Sequence, residues 1–294
     1  MSAMAAAEGR AGRALAGESP VPPAPAQGYS VLWEGVRVAY GGVEAVRGVS
    51  LEVASGSCVA ILGPNGAGKT TLTRLAIGLL RPSAGRVSVG DWDVAAKRPD
   101  QMAARVGYVF QHADQQLFER TVRRDVAFGP RCLGRSTDGV DLALRELGLR
   151  DVADAHPYDL PPPSRKLVAL AGVLAMEPGV LVLDEPTAGL DRTGRDRVAA
   201  ALCRRTGAGV TVIVVSHDLA FVSEVADRVV VLREGRVVAD SPARTLLGDA
   251  AALAPLGLAP PPAAALAVAL GLPDQPVRAA ELVARLADAL WMAG

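Results

Sequence analysis

The chain has 294 residues, 50% of them hydrophobic, with 31 basic and 31 acidic residues and no formal net charge. That length and apolar content suffice for a full core, one large domain and an appendage, which sets aside a disordered or fibrous protein. The balanced charge gives no support to nucleic acid or an anionic membrane surface as a partner.

Residues 1–28 are rich in Ala, Gly and Pro with almost nothing large to bury, the composition of a disordered leader. Alternating stretches at 31–40 and 43–53 flank Gly41-Gly42 and predict a hairpin or antiparallel edge sheet. Cys58-Val-Ala-Ile-Leu62 is a continuous apolar strand feeding a glycine-rich loop, after which 71–80 reads as a helix closed by Arg81-Pro82. Further strands are expected at 105–110, 179–183 and 210–215, the last two apolar throughout and so parallel and covered on both faces. Between them, about 112–175 shows helices without a strand pattern, an inserted helical subdomain in an α/β layered domain.

Arg228–Leu232 and Arg236–Asp240 flank Glu234-Gly235 as a second hairpin. Past Ser241 the chain turns Ala- and Pro-rich and ends in a helix at 278–291, whose Leu282, Leu286 and Leu290 share a face. That stripe docks on its own domain or on a partner. The longest uncharged run, 250–273, is broken by Pro255 and Pro260-Pro261-Pro262, so no transmembrane segment is expected. Cys58, Cys132 and Cys203 follow no metal or redox spacing and are expected to be small core residues in a reducing compartment.

Chemistry concentrates at two places. Gly63, Pro64, Asn65, Gly66, Ala67, Gly68, Lys69, Thr70 and Thr71 fit the phosphate-loop pattern GxxxxGK[ST] in full, between a strand and a helix as its mechanism requires. Gly66 and Gly68 let backbone N–H groups turn toward phosphates, Lys69 brings a point charge to the β and γ phosphates, and Thr70 offers a hydroxyl to Mg²⁺. The loop therefore predicts Mg-ATP as ligand. The apolar strand Val180-Leu-Val-Leu183 then runs into Asp184-Glu185, placing two carboxylates where α/β sheets present ligands. Asp184 suits the metal, and Glu185 suits orienting or deprotonating an attacking water.

With these motifs in this order the chain resembles the nucleotide-binding subunits of ABC transporters, with matches from Tyr40 to about Asp240. The resemblance implies a P-loop NTPase of the ABC ATPase type. Its RecA-like parallel core would carry an antiparallel β subdomain and the inserted helical subdomain, in a domain at 29–241 followed by a small helical appendage at 242–294. It assigns Tyr40 to adenine stacking, Gln111 to sensing metal and water, His217 to the γ-phosphate, and Asp191 of Ala188-Gly-Leu-Asp to a reach across a dimer. The segments Val109-Phe-Gln-His-Ala-Asp-Gln-Gln-Leu-Phe118 and Thr121-Val-Arg-Arg-Asp-Val-Ala-Phe-Gly-Pro130 are similar to the ATPases of energy-coupling factor importers, which take up vitamins and cobalt or nickel ions.

One motif departs from the family. Its LSGGQ signature, which closes over ATP held by the other subunit, reads here Leu160-Pro-Pro-Pro-Ser164. Pro161, Pro162 and Pro163 lack an N–H, so the usual γ-phosphate contacts are lost. Ser164 is expected to cap a helix at 165–176; alternatively the prolines simply start that helix, whose apolar face is Leu167, Leu170, Ala171 and Leu174.

The resemblance then implies an ATP-hydrolysing importer subunit, peripheral on the cytoplasmic face of the membrane. A second ABC ATPase, as heterodimer rather than homodimer, and transmembrane coupling and substrate-binding subunits would be its partners, and nucleic acid would not. A non-transport ABC-type ATPase, or a regulatory ATP-binding subunit with one degenerate site, is the alternative.

Overall fold

The structure, a computed structural model, describes residues 28–272 and 276–292. The expected leader therefore lies, except for Gly28, outside the described residues.

Two sheets form the frame. Strands β1 (Val31–Tyr40) and β2 (Val43–Val53) make the first predicted hairpin, and β4 (Ala84–Val89) and β5 (Trp92–Asp93) extend it into an antiparallel sheet of order β2-β1-β4-β5. β4 and β5 escaped the sequence reading. Only Val87 and Val89 of β4 are buried, so the period-two signal spans a single repeat before Gly90 turns the chain.

The second sheet has order β10-β9-β3-β8-β7-β6. β3 (Cys58–Leu62), β6 (Val106–Val109), β7 (Val180–Asp184), β8 (Thr211–Val215) and β9 (Arg228–Arg233) run parallel, and β10 (Arg236–Pro242) folds back on β9 as the predicted hairpin. Every residue of β3, β7 and β8 is buried, as continuous apolar runs require of strands covered on both faces.

Alternation along these strands divides the core into two layers. Cys58, Ala60, Leu62, Leu181, Leu183, Val212 and Val214 face one way. They pack with helices α2 (Val122–Cys132), α3 (Gly139–Glu146), α4 (Pro162–Ala175), α5 (Arg192–Gly207) and α6 (Leu219–Val225). Val59, Ile61, Val180, Val182, Ile213 and Val215 face the other way, against Trp33 of β1 and Leu72 and Leu75 of α1 (Lys69–Ala76). Trp33 Nε1 donates to the Leu72 carbonyl at 3.1 Å, which satisfies a fully buried indole. Each such buried leucine contributes about 1.5–3 kcal/mol relative to exposure.

Among the described residues of 112–175 there are three longer helices, α2 to α4, and no strand. After β10 come α7 (Ala243–Gly248), α8 (Pro262–Ala269) and α9 (Ala279–Met292). α9 docks on its own chain: Leu282 packs with Ala263 and Ala267, Leu286 lies partly buried beside them, and Arg244 pairs with Glu281 at 3.2 Å. The Leu290 side chain lies outside the described ones. No helix among the described residues is long and apolar enough to cross a membrane.

Three expectations are corrected. α1 starts at Lys69 rather than residue 71 and ends at Ala76 rather than 80, because the left-handed Gly68 passes directly into the helix and Gly78, at φ 73°, stops it. Cys58 is buried, but Cys132 and Cys203 are exposed, since both fall off the inward stripe of their helices. Ser164 is not a cap: α4 begins at Pro162, with Pro161 as its N-cap and Ser164 already in the first turn. Proline's fixed φ favours this start and leaves the N-cap without a side-chain acceptor.

Gly68 is a demanding position. Its φ is 97° and a Cβ there would overlap the carbonyl oxygen of Ala45 on β2. Gly68→Ala is expected to lose about 1–3 kcal/mol of stability in denaturant unfolding; an unchanged midpoint would mean that β2 gives way freely.

Candidate functional site

Parallel strands share one polarity, so the turns leaving β3, β6, β7 and β8 open at the same edge of the sheet. Open α/β sheets take ligands in the crevice beyond those carboxyl ends. A cleft of about 650 Å³ lies there, and it gathers Tyr40, Asn65, Gly66, Ala67, Gly68, Lys69, Thr70, Thr71, Gln111, Asp184, Glu185 and His217. Residues as far apart in sequence as Asn65 and His217 thus meet because these turns share an edge, and Tyr40 joins them from the end of β1.

The loop after β3 supplies one wall. Gly63 and Pro64 do not line the cleft; their carbonyls accept from Lys69 Nζ at 2.7 and 2.9 Å. The Lys69 side chain is buried, and burial pushes its pKa down, a shift partly offset by the Glu185 and Asp184 carboxylates. Thr70 Oγ1 donates to Asp184 Oδ2 at 2.8 Å, joining the first turn of α1 to the end of β7.

Glu185 forms the opposing wall. It adopts φ 51°, and its N–H donates to the Val215 carbonyl at 2.8 Å, which pins it to β8. Glu185 Oε2 accepts weakly from the His217 N–H at 3.4 Å. Oε1 lies 3.3 Å from His217 Nε2, but without hydrogen-bond alignment, so it is a buried carboxylate oxygen lacking a hydrogen bond. Burial raises the Glu185 pKa and Asp184 adds to the rise, while His217 and Lys69 oppose it. A carboxylate made more basic in this way is suited to accept a proton.

Tyr40 ends β1 and is 48% exposed at the cleft's rim, where its ring offers a face to an aromatic base. Gln111 enters from the turn after β6 and His217 from the turn after β8. Asp191 stands outside the cleft, where Oδ1 accepts from the Gly194 N–H at 2.7 Å as N-cap of α5. Residues 160–164 are also outside it. Sequence reasoning missed Ala45 and Val215, which line the cleft as backbone neighbours of the loop and of Glu185 and carry no polar side chain to signal them. It also missed Lys166, whose ammonium reaches the Glu185 turn from α4.

A family model described as "ABC transporter" matches residues 46–188. The cobalt import ATP-binding protein CbiO of Rhodobacter capsulatus is 44% identical over 227 residues, covering 75% of this chain and 81% of that protein. The energy-coupling factor transporter ATP-binding protein EcfA of Methanothermobacter thermautotrophicus is 40% identical over 215 residues, covering 71% and 69%. Among solved structures, CbiO1 of Clostridium perfringens, described as part of the ABC transporter complex CbiONQ, superposes with a TM-score of 0.67 at 35% identity, covering 76% of this chain and 92% of its own. With a phosphate loop, an Asp-Glu strand end and a histidine turn on one sheet edge, and relatives this similar over most of their length, the chain belongs to the ABC transporter family of ATP-binding proteins and is an ATPase.

Proposed function

We propose that this ATPase is the energy-supplying subunit of a membrane importer of the energy-coupling factor type, with a vitamin or a cobalt or nickel ion as cargo. The convergence of Lys69, Thr70, Asp184 and Glu185 in one cleft carries the hydrolytic part. The names of the similar proteins, a cobalt import ATP-binding protein and energy-coupling factor ATP-binding proteins, support the import part.

In this reading the 63–71 loop wraps the phosphates through the backbone N–H groups of residues 65–71, Lys69 turns its ammonium to the β and γ oxygens, and Tyr40 covers the adenine. Thr70 and Asp184 already bring two hard oxygens within 2.8 Å, and Gln111 adds an amide on the same cleft, so the donor set fits Mg²⁺. When bound, Mg²⁺ would neutralise charge on the phosphate oxygens. Glu185 takes the proton of the attacking water, and His217 faces the γ-phosphate.

The cleft is half of a site. A second ABC ATPase with a donor-rich signature would close over it, while this chain's own Pro161–Ser164 loop would face the partner's nucleotide. We therefore favour a heterodimer, seated on transmembrane coupling and substrate-binding subunits at the cytoplasmic face of the membrane. A division into leader 1–28, ATP-binding domain 29–241 and C-terminal appendage 242–294 belongs to the same proposal. The proline loop favours a second reading, a regulatory subunit that holds ATP without turning it over; the Glu185 carboxylate, with one oxygen lacking a hydrogen bond and its pKa raised by burial, weighs against it.

Pull-down of the full chain from detergent-solubilised membranes is expected to bring a second ATPase and membrane subunits, and adding that ATPase is expected to raise turnover per site. Equal turnover per site for the chain alone and for the mixture would overturn the heterodimer.

A further inference from the structure

The turn that presents Glu185 is held by a residue outside the cleft. Glu185 is one of the non-glycine residues in the left-handed region, at φ 51°. Such a conformation costs on the order of 1–3 kcal/mol and persists only where its surroundings over-determine it. Two backbone bonds help: Glu185 N–H to Val215 O at 2.8 Å, and Ala188 N–H to Glu185 O at a long 3.3 Å. Proline follows at 186, so no N–H is available there to complete the turn.

Lys166 makes up the deficit. From the first turns of α4 its Nζ donates to the Glu185 carbonyl at 3.1 Å and to the Ala188 carbonyl at 2.9 Å. One ammonium therefore spans both ends of the 185–188 turn, whose two carbonyl dipoles would otherwise repel each other. Ala188 and Glu185 both line the cleft, so fixing these carbonyls fixes that part of its wall. Hydrogen bonds from a charged donor are about twice as strong as neutral ones, which suits Lys166 to holding a strained turn.

We propose that Lys166 is a positioning residue for hydrolysis, clamping the 185–188 turn so that the Glu185 carboxylate faces the Lys69–Thr70 side of the cleft. This rests on the reading of Glu185 as the hydrolytic carboxylate. It also makes α4, the helix that begins at the proline loop, a mechanical link between the surface offered to the partner's nucleotide and the carboxylate of this chain's own cleft.

The test measures kcat, KM and binding of a fluorescent ATP analogue on the full chain in its active assembly, for the parent, Lys166→Met, Lys166→Arg and Glu185→Gln. Lys166→Met is expected to lower kcat on the order of tenfold with KM and analogue binding unchanged, as misplacement of a reacting group does. Lys166→Arg, which can donate to both carbonyls, is expected to recover most of the loss. If Lys166→Met does not fold, Lys166→Gln, which keeps a neutral donor, must show the same split between kcat and KM. Binding that falls in parallel with kcat, or an arginine variant as impaired as the methionine one, would mean a general structural role and overturn the proposal. Parent kcat in Lys166→Met with an inactive Glu185→Gln overturns the clamp alone, whereas an active Glu185→Gln overturns the catalytic reading and the clamp with it.

Discussion

Glu185→Gln is expected to lower ATP turnover roughly 10²–10⁴-fold, the range for removing a general base, while ATP still binds. The amide keeps the shape of the carboxylate and cannot take a proton. Two features put the effect toward the upper part of that range. Glu185 Oε1 is buried with no hydrogen bond, His217 Nε2 lying 3.3 Å away but out of alignment, so no formed hydrogen bond occupies its lone pair. Burial also raises the pKa, with Asp184 acting in the same direction, which makes the ionised group a stronger base than an exposed glutamate. The backbone at 185 is anchored through Val215, independent of the side chain, so the turn keeps its place in the variant. Steady-state phosphate release reports the loss, and size-exclusion chromatography with ATP reports a persistent closed dimer. Turnover at the parent rate would remove Glu185 from the chemistry and leave the cleft as an ATP clamp.

The second large effect concerns the proline loop. In the variant Pro161→Ser, Pro162→Gly, Pro163→Gly, the N-cap and first two positions of α4 regain N–H groups, and the cap regains a hydroxyl. Removing one donor from a developing anion costs about 10²–10³ in rate, so restoring several is expected to raise the turnover of the chain alone by about a hundredfold. The gain requires the chain to pair with itself, because each restored loop serves the nucleotide on the other subunit. Glycine in the first turn weakens the helix by up to about 1 kcal/mol per residue. Leu167, Leu170, Ala171 and Leu174 remain buried, and Arg165 still donates to the Leu160 carbonyl at 2.8 Å, so the loop stays anchored. The same turnover before and after the change, with dimer formation intact, would show that this loop does not approach a nucleotide.

How much of this was legible in the sequence depends on whether the cause was local. The phosphate loop, the Asp184-Glu185 strand end and the parallel strands β7 and β8 were legible because each is written in a contiguous run whose backbone geometry follows from residue type. β4, with Val87 and Val89 its buried residues, exists because the far edge of β1 accepts it, and the two-residue β5 because β4 accepts it in turn, tertiary causes with no local period. The start of α4 stayed open in the sequence because residue type offered two starts, a serine cap at 164 or the prolines before it; the structure takes the second, with prolines at N1 and N2. Lys166 was invisible for a different reason. Its partners are carbonyl oxygens 19 and 22 residues away, and carbonyls leave no mark in a sequence. The exposed Cys132 and Cys203 show that residue-type averages for burial yield to the face of the helix on which a residue falls.

The alternation that splits the core into two layers also acts as a ruler for the chemistry. Cys58, Ala60 and Leu62 point to the helical layer and Val59 and Ile61 to the other, and Lys69 follows the last of them at a fixed count. Slipping β3 by one residue would exchange its small and branched faces between layers shaped for the opposite set, and the same slip would carry the lysine one position along the loop. The greasy interior therefore audits the placement of the charge: a chain whose β3 mates correctly has already delivered its ammonium to the mouth of the cleft.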